Sequence, residues 1–140
     1  MNAKLQCCVI IMFLIALAMG CGGFNCTVTG KVTFPDGSPL TEGEVIFESP
    51  TLMARGTIKK DGSYAMESGE LKGVPKGTYQ VALGGFQFEQ ITFSGVEGAA
   101  PKITPLEIPV DRKFLSTAKS GLACEVNGRT KYDITVEAPQ

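Results

Sequence analysis

The expected fold follows from the stretch Val28-Thr-Gly-Lys-Val-Thr-Phe-Pro-Asp-Gly-Ser-Pro-Leu-Thr-Glu-Gly-Glu-Val-Ile-Phe-Glu48. In its first part, apolar or small side chains alternate with polar ones, which is typical of a strand with one buried face. Pro35, Asp36 and Gly37 end the alternation, since proline presets φ for a turn and glycine accepts positive φ. The alternation resumes around Val45. The stretch therefore predicts two β-strands joined as a hairpin.

The composition favours an all-β domain in which further strands cover this hairpin. A hairpin alone is marginally stable in water, so its apolar face requires a second layer. The chain has 140 residues, of which 17 are glycine and 8 are proline. This composition suits one domain of short strands joined by tight turns.

Later segments repeat the same alternation. Residues 52–59 and the residues after Asp61-Gly62 predict a second hairpin, and residues 77–83 predict a further strand. The connection before this strand is polar and rich in glycine. We expect Leu71 and Val74 to hold that connection against the core.

The region after residue 84 departs from simple alternation. Phe86 and Phe88 share one parity while Ile91 and Phe93 share the other. A strand through all four residues therefore needs a bulge, or the region consists of two pieces. We expect the phenylalanines mainly in the core. The alternative is an aromatic platform for a sugar or for a partner's side chain.

Two irregular segments follow. Residues 94–105 contain Gly95, Gly98 and Pro101 and predict a long surface loop, which is either an unconstrained insertion or a functional element. Residues 106–114 predict an edge strand, because Pro109 cannot donate a hydrogen bond to a central ladder.

Residues 1–20 have the features of a secretory leader. A positive charge at Lys4 precedes an apolar run that is shorter than the about 20 residues of a membrane span. The run ends at Cys21, and this end resembles the bacterial lipobox, in which the cysteine is acylated and the bond before it is cut. Two or three acyl chains anchor a protein firmly, because each buried methylene contributes roughly 0.8 kcal/mol. We therefore expect residues 21–27 to form a lipid-anchored linker that leads into the first strand.

The expected location is extracytoplasmic. The mature chain would cross the inner membrane and remain anchored in the outer membrane or elsewhere in the cell envelope, facing the periplasm or the surface. Two alternatives to the anchor stay open from the residues. The leader also fits an ordinary signal peptide in which Cys21 has no role, and Asn25-Cys26-Thr27 fits a glycosylation acceptor in a secreted protein.

The last part of the chain predicts a closing hairpin. Residues 122–126 and 132–136 alternate on either side of Asn127-Gly128, a strong hairpin signal. By parity, Cys124 in this hairpin and Cys26 near the first strand both face the interior. In an oxidising compartment they are candidates for a disulfide, with two buried thiols as the alternative.

Three motifs in order resemble one known family. They are Gly30-Lys-Val-Thr-Phe-Pro-Asp-Gly-Ser-Pro-Leu40, Gly56-Thr-Ile-Lys-Lys-Asp-Gly-Ser-Tyr64 and Val74-Pro-Lys-Gly-Thr-Tyr-Gln-Val81. This arrangement resembles the carboxypeptidase-regulatory-like domains, which are transthyretin-like β-sandwiches found in some small bacterial lipoproteins. The resemblance implies an Ig-like Greek-key sandwich of about seven strands over residues 28–138 and a non-catalytic role. It supplies no binding residues.

The composition excludes several classes of chemistry. The chain has no histidine, which rules out Ser-His-Asp and Cys-His catalysis and His-ligated metals. Its net charge of −1 gives no basis for nucleic-acid binding. Asp36, Glu42, Glu44 and Glu48 are close in sequence, but their spacing matches no EF-hand, and a solvated face is the simpler interpretation. We expect no enzyme activity, no cofactor and no metal.

The expected function is that of a membrane-anchored structural or binding module of the cell envelope. Its partner is expected to be a protein or a glycan. The alternative is a carbohydrate-binding module that uses the segment from Phe86 to Phe93 and the loop after it.

Overall fold

The computed structural model describes residues 25–140, so the predicted leader and Cys21 lie outside the described residues. The described chain is an all-β sandwich, which confirms the predicted fold class. It has twelve strand segments rather than about seven, because several pairings extend over only two or three residues. The strands are β1 Val28–Thr33, β2 Glu44–Glu48, β3 Met53–Thr57, β4 Ser63–Ala65, β5 Glu67–Ser68, β6 Leu71–Lys72, β7 Gly77–Gly84, β8 Glu89–Thr92, β9 Lys102–Pro105, β10 Leu122–Val126, β11 Thr130–Lys131 and β12 Ile134–Thr135.

The larger sheet has the strand order β10, β7, β2, β3, β5, β6, and every neighbouring pair is antiparallel. Its longest strand is β7, with eight residues. Val81 in this strand lies opposite Phe47 of β2 on one side and Leu122 of β10 on the other. The predicted inward side chains of β7, among them Tyr79 and Leu83, are buried.

The smaller sheet is built around β1. β4 pairs antiparallel with one edge of β1, while β11 and β12 pair in parallel with the other edge. Tyr132 and Asp133 interrupt the ladder between β11 and β12. There the Asp133 carboxylate accepts a hydrogen bond from the Lys31 backbone N–H at 2.9 Å. The interruption therefore leaves this backbone donor satisfied.

The two hairpins predicted from Asp-Gly turns are wrong, although the turns themselves form. At the first turn Gly37 has φ of 85°, and the Asp36 carboxylate accepts a hydrogen bond from the Ser38 N–H at 2.9 Å. β1 nevertheless lies in the smaller sheet and β2 in the larger one. The turn at Asp61-Gly62 likewise connects β3 of the larger sheet to β4 of the smaller sheet. Alternation determines which face of a strand is buried but leaves its pairing partner open.

The predicted closing hairpin is wrong for the same reason. β10 pairs with β7 in the larger sheet, whereas β11 and β12 cross to β1 in the smaller sheet. Four of the predicted inward residues of this region, Cys124, Val126, Ile134 and Val136, are buried, and Leu122 and Tyr132 are partly buried. The faces were thus predicted correctly and the partners were not.

The core fills the space between the two sheets. Val32, Phe47 and Val81 have no exposed surface, and Ile134 is 2% exposed. The ring centroids of Phe47 and Tyr79 lie 5.6 Å apart. Burial of these side chains from both sheets is the main source of stability for the sandwich.

Two connecting segments differ from their predictions. Val74 is buried as expected, but Leu71 is 63% exposed because it lies in the short edge strand β6. Residues 106–114 form no strand. They run into a 3₁₀ turn, Arg112–Leu115, whose Lys113 N–H donates to the Asp111 carboxylate at 2.9 Å. Three side chains of this region, Ile108, Val110 and Phe114, are buried in the core.

Candidate functional site

A two-stranded ribbon, β8 with β9, stands apart from the sandwich. In the described part of the chain it pairs with no strand of either sheet. All eight of its strand residues are exposed. Its register places Ile91 opposite Ile103 and Thr92 opposite Lys102. We call these strands and the connection between them, residues 89–105, the ribbon.

Among the described residues, most of the exposed large apolar side chains lie in the ribbon and its approach. Seven large apolar side chains are exposed among the described residues, and five of them lie between residues 88 and 103. These five are 55 to 76% exposed. Soluble proteins seldom leave such a concentration of apolar side chains in water without a binding role. The five are Phe88, Ile91, Phe93, Val96 and Ile103.

The ribbon is amphipathic. Directly paired residues of an antiparallel ladder share a face, so Ile91 and Ile103 lie side by side on one face. Thr92 and Lys102 form the next pair and lie on the opposite face with Gln90. The ribbon therefore presents one apolar and one polar face, and both are exposed.

The expectation that the phenylalanines belong to the core is confirmed for Phe86 only. Phe86 is 8% exposed, whereas Phe88 is 57% and Phe93 is 76% exposed. The region consists of two pieces, because β7 ends at Gly84 and the next strand begins at Glu89. The break allows Phe86 to turn inward while the later phenylalanines leave the core.

The predicted loop over residues 94–105 is partly correct. Residues 94–101 contain no strand, but residues 102–105 form β9. The connection is thus the turn of a hairpin rather than an independent insertion. The strand was missed because Pro101 precedes it and Pro105 is its last residue, and proline within a run argues against a strand.

A groove of about 740 Å³ lies at the base of the ribbon. One wall is the exposed ring of Phe88 beside Pro105 and Leu106, and the groove also contains the charged side chains of Glu107 and Arg112. An aromatic wall with a few polar groups is the usual composition of a small-molecule site. The sequence motifs did not indicate this groove, because its residues come from separate irregular segments.

A second, smaller hollow of about 330 Å³ lies on the outer face of the smaller sheet. Lys31, Lys59 and Lys131 line it. Asp133 partly neutralises this positive charge, since its carboxylate oxygen lies 3.3 Å from the Lys131 ammonium nitrogen. These side chains are largely in water, where such pairs contribute little.

Three of the four carboxylates that cluster in sequence, Asp36, Glu44 and Glu48, have separate partners. Asp36 accepts hydrogen bonds from Ser38, and this bonding lowers the pKa of Asp36. Glu44 pairs with Arg55 at 3.1 Å. Among residues 25–140, no group of three or more acidic or cysteine side chains is arranged to hold a metal ion.

The two cysteines among the described residues, Cys26 and Cys124, are buried. Burial raises the pKa of the Cys124 thiol. Cys26 lies next to the edge of the sandwich, where its backbone pairs with Val74. The disulfide between Cys26 and Cys124 stays a prediction.

The predicted lipidation site, Cys21, lies outside the described residues, so its role also stays a prediction. None of the helical turns over residues 25–140 has the length and apolar character that a bilayer-spanning helix requires.

Comparison with known proteins gives one structural similarity. No protein-family model matches the chain, and no curated protein matches it. Among solved structures, the chain is similar to a DUF3823 family protein from Bacteroides ovatus, with 19% sequence identity and a TM-score of 0.46. The match covers 81% of this chain and 44% of that protein, so this chain spans less than half of its length.

Proposed function

We propose that this protein is a lipid-anchored module of the bacterial cell envelope that acts by binding, with the ribbon as its recognition surface. The observation that carries the proposal is the concentration of exposed apolar side chains on β8, β9 and their flanks. Rigid scaffolds commonly present such surfaces on connections between core strands. The three motifs that resemble carboxypeptidase-regulatory-like domains support the same non-catalytic role.

The electrostatics support binding rather than catalysis. Catalytic groups usually combine a shifted pKa with a place in a cleft. Burial raises the pKa of Tyr64 and of Cys124, and both side chains belong to the core. Hydrogen bonds from Ser38 lower the pKa of Asp36, which lies in an exposed turn. None of these groups lines the groove beside Phe88, and Tyr64, which lines the smaller hollow, has its hydroxyl bonded to the Tyr132 carbonyl oxygen.

The topology separates the proposed anchor from the ribbon. Cys26 pairs with Val74, just before the start of β7, whereas the ribbon follows the end of that strand at Gly84. An eight-residue strand is about 25 Å long. A lipid on Cys21 would therefore hold the opposite end of the sandwich at the membrane and leave the ribbon accessible.

Replacement of Cys21 tests the anchor. In cells supplied with labelled palmitate, the native chain is expected to incorporate label and to sediment with membranes. Cys21→Ser is expected to lose both properties, because the thiol that carries the lipid is absent. Equal incorporation by the two chains would remove the anchor from the proposal.

A photo-crosslinking residue tests the recognition surface. Placed at Phe93, it is expected to give defined crosslinked products in intact cells, since this side chain is exposed on the ribbon. The same residue at Met53 is the matched control, because Met53 is 51% exposed but lies in β3, away from the ribbon. Equal labelling from both positions would contradict a recognition role for the ribbon.

A carbohydrate is the second candidate ligand, and the groove with Phe88 on its wall favours it. Aromatic rings bind the apolar faces of sugars while nearby polar groups bind hydroxyls. On a glycan array, the Cys21→Ser chain is expected to bind a restricted set of glycans. Binding should fall at least about tenfold in Phe88→Ala, which corresponds to about 1.4 kcal/mol. Phe93→Ala, outside the groove, should retain binding.

A further inference from the structure

We infer that the partner of the ribbon is a second copy of this chain, joined through the outer edge of β8. This inference rests on the proposed function, in which the ribbon is the recognition surface. A two-stranded ribbon is marginally stable in water, and three or more strands are normally needed. In the described part of the chain, the ribbon has two strands. Edge pairing between two copies would supply a four-stranded sheet.

The hydrogen bonds between β8 and β9 show which backbone groups of β8 point to its outer edge. The Leu106 N–H donates to the Phe88 carbonyl at 2.9 Å, in register with the β8–β9 ladder. Along a strand, successive residues direct their backbone groups to opposite edges. Gln90 and Thr92 therefore face β9, like Phe88, and the backbone groups of Ile91 face outward.

The two edges of the ribbon differ in their capacity to pair. The outer edge of β9 includes Pro105, which has no N–H to donate, and its strand begins with Lys102. Proline and lysine are the residues with which natural edge strands prevent further pairing. β8 has the sequence Glu-Gln-Ile-Thr and contains neither. The edge of β8 is thus the one open to another strand.

Charge and side-chain pairing select one register. Antiparallel partners must share a face, so a symmetric pair of β8 strands is centred on a single residue. Centring on Glu89 would place two carboxylates opposite each other, which is destabilising, and centring on Gln90 or Ile91 would place the Glu89 carboxylate opposite Ile91 or Phe93 of the second copy. Centring on Thr92 places Ile91 opposite Phe93 of the second copy, twice, and leaves no charge facing another charge. An aromatic ring opposite a β-branched side chain is a favourable cross-strand pair.

The available area fits a weak dimer that the membrane anchor would strengthen. With about 200 Å² for a fully exposed side chain of this size, Ile91 and Phe93, which the proposed register pairs, together expose roughly 260 Å² on each copy. A standard interface buries about 800 Å² on each partner, of which somewhat more than half is apolar. Two copies anchored on one membrane also have a raised effective concentration.

Cysteine crosslinking in the full chain tests both the edge and the register. In the proposed dimer, the two Thr92 residues form a pair with Cα atoms about 4.5 Å apart, which is within disulfide reach. The two Gln90 residues would be about 13 Å apart. Thr92→Cys is expected to give a species of twice the monomer mass on mild oxidation, in several-fold higher yield than Gln90→Cys or Lys102→Cys. All three positions are exposed on the same face.

A proline pair provides the matched control. The side chains of Ile91 and Ile103 are equally exposed, and the backbone N–H groups of the two residues point to opposite edges of the ribbon. In the Thr92→Cys chain, Ile91→Pro should abolish the crosslink, because it removes an outward N–H from the pairing edge. Ile103→Pro should retain it.

Three results would overturn the inference. They are equal crosslink yields at all three cysteine positions, a highest crosslink yield for Gln90→Cys, or an equal loss of the Thr92→Cys crosslink with Ile91→Pro and Ile103→Pro. If no cysteine variant crosslinks but the photo-crosslinker at position 93 labels another molecule, self-pairing is wrong and the recognition role stands. If neither experiment gives a product, both proposals fail.

Discussion

Replacing Gly30 with alanine is expected to cost the domain at least about 3 kcal/mol of its free energy of unfolding. An added methyl group would lie 1.8 Å from the Tyr132 carbonyl oxygen and 2.9 Å from a ring carbon of Tyr64. Neither neighbour has room to move. The Tyr132 N–H donates to the Thr29 carbonyl at 2.8 Å, and the Tyr64 hydroxyl donates to the same Tyr132 oxygen at 2.5 Å. Urea unfolding followed by circular dichroism measures the loss.

Gly128→Ala is the control for this prediction. A Cβ at Gly128 would meet no atom within 4 Å, and this glycine does not have positive φ. Its replacement should change stability by no more than about 0.5 kcal/mol. Similar unfolding midpoints for the two variants would mean that β1 and the C-terminal strands do not approach each other as described.

Truncation of Phe47 to alanine is expected to cost about 3 to 5 kcal/mol. The Phe47 side chain is fully buried, and its ring centroid lies 5.6 Å from that of Tyr79 and 6.1 Å from that of Tyr132. Alanine would leave a cavity that strands from both sheets line. Because domains of this kind are stable by about 5 to 15 kcal/mol, the variant should unfold at a much lower temperature or urea concentration.

Phe93→Ala makes the same chemical change on the surface. Phe93 is 76% exposed, so its removal takes little apolar area out of the folded state. We expect its thermal midpoint to match that of the native chain. In the Thr92→Cys chain, Phe93→Ala should lower the yield of the disulfide crosslink. A loss of stability as large as that of Phe47→Ala would show that the ribbon packs on the core.

The burial pattern of the strands could be predicted from the sequence because side-chain alternation is a local property. Val32, Val45, Phe47 and Val81 are buried as their parity indicated. Strand partners could not be predicted in the same way. The turn at Gly37 forms locally, but whether the next strand pairs with β1 depends on which arrangement closes the core, and that is a property of the whole chain.

The candidate site was predicted only in part, for a similar reason. The phenylalanines of residues 86–93 drew attention to this region, but an aromatic side chain is more often buried than exposed. Only the break after Gly84 decides that Phe88 and Phe93 leave the core. Ile103 was overlooked, because Pro101 precedes its short strand and Pro105 ends it. The equal spacing of Ile91 and Ile103 around a glycine-containing turn was the available signal.

The parallel pairing of β1 with β11 and β12 has a consequence for biogenesis. Val28 and its partner Thr130 are separated by roughly 100 residues, so this contact forms late in a chain that emerges from its amino terminus. Until residues 130–135 leave the ribosome, one edge of β1 has no neighbour. The smaller sheet is therefore completed only when nearly the whole chain has been synthesised.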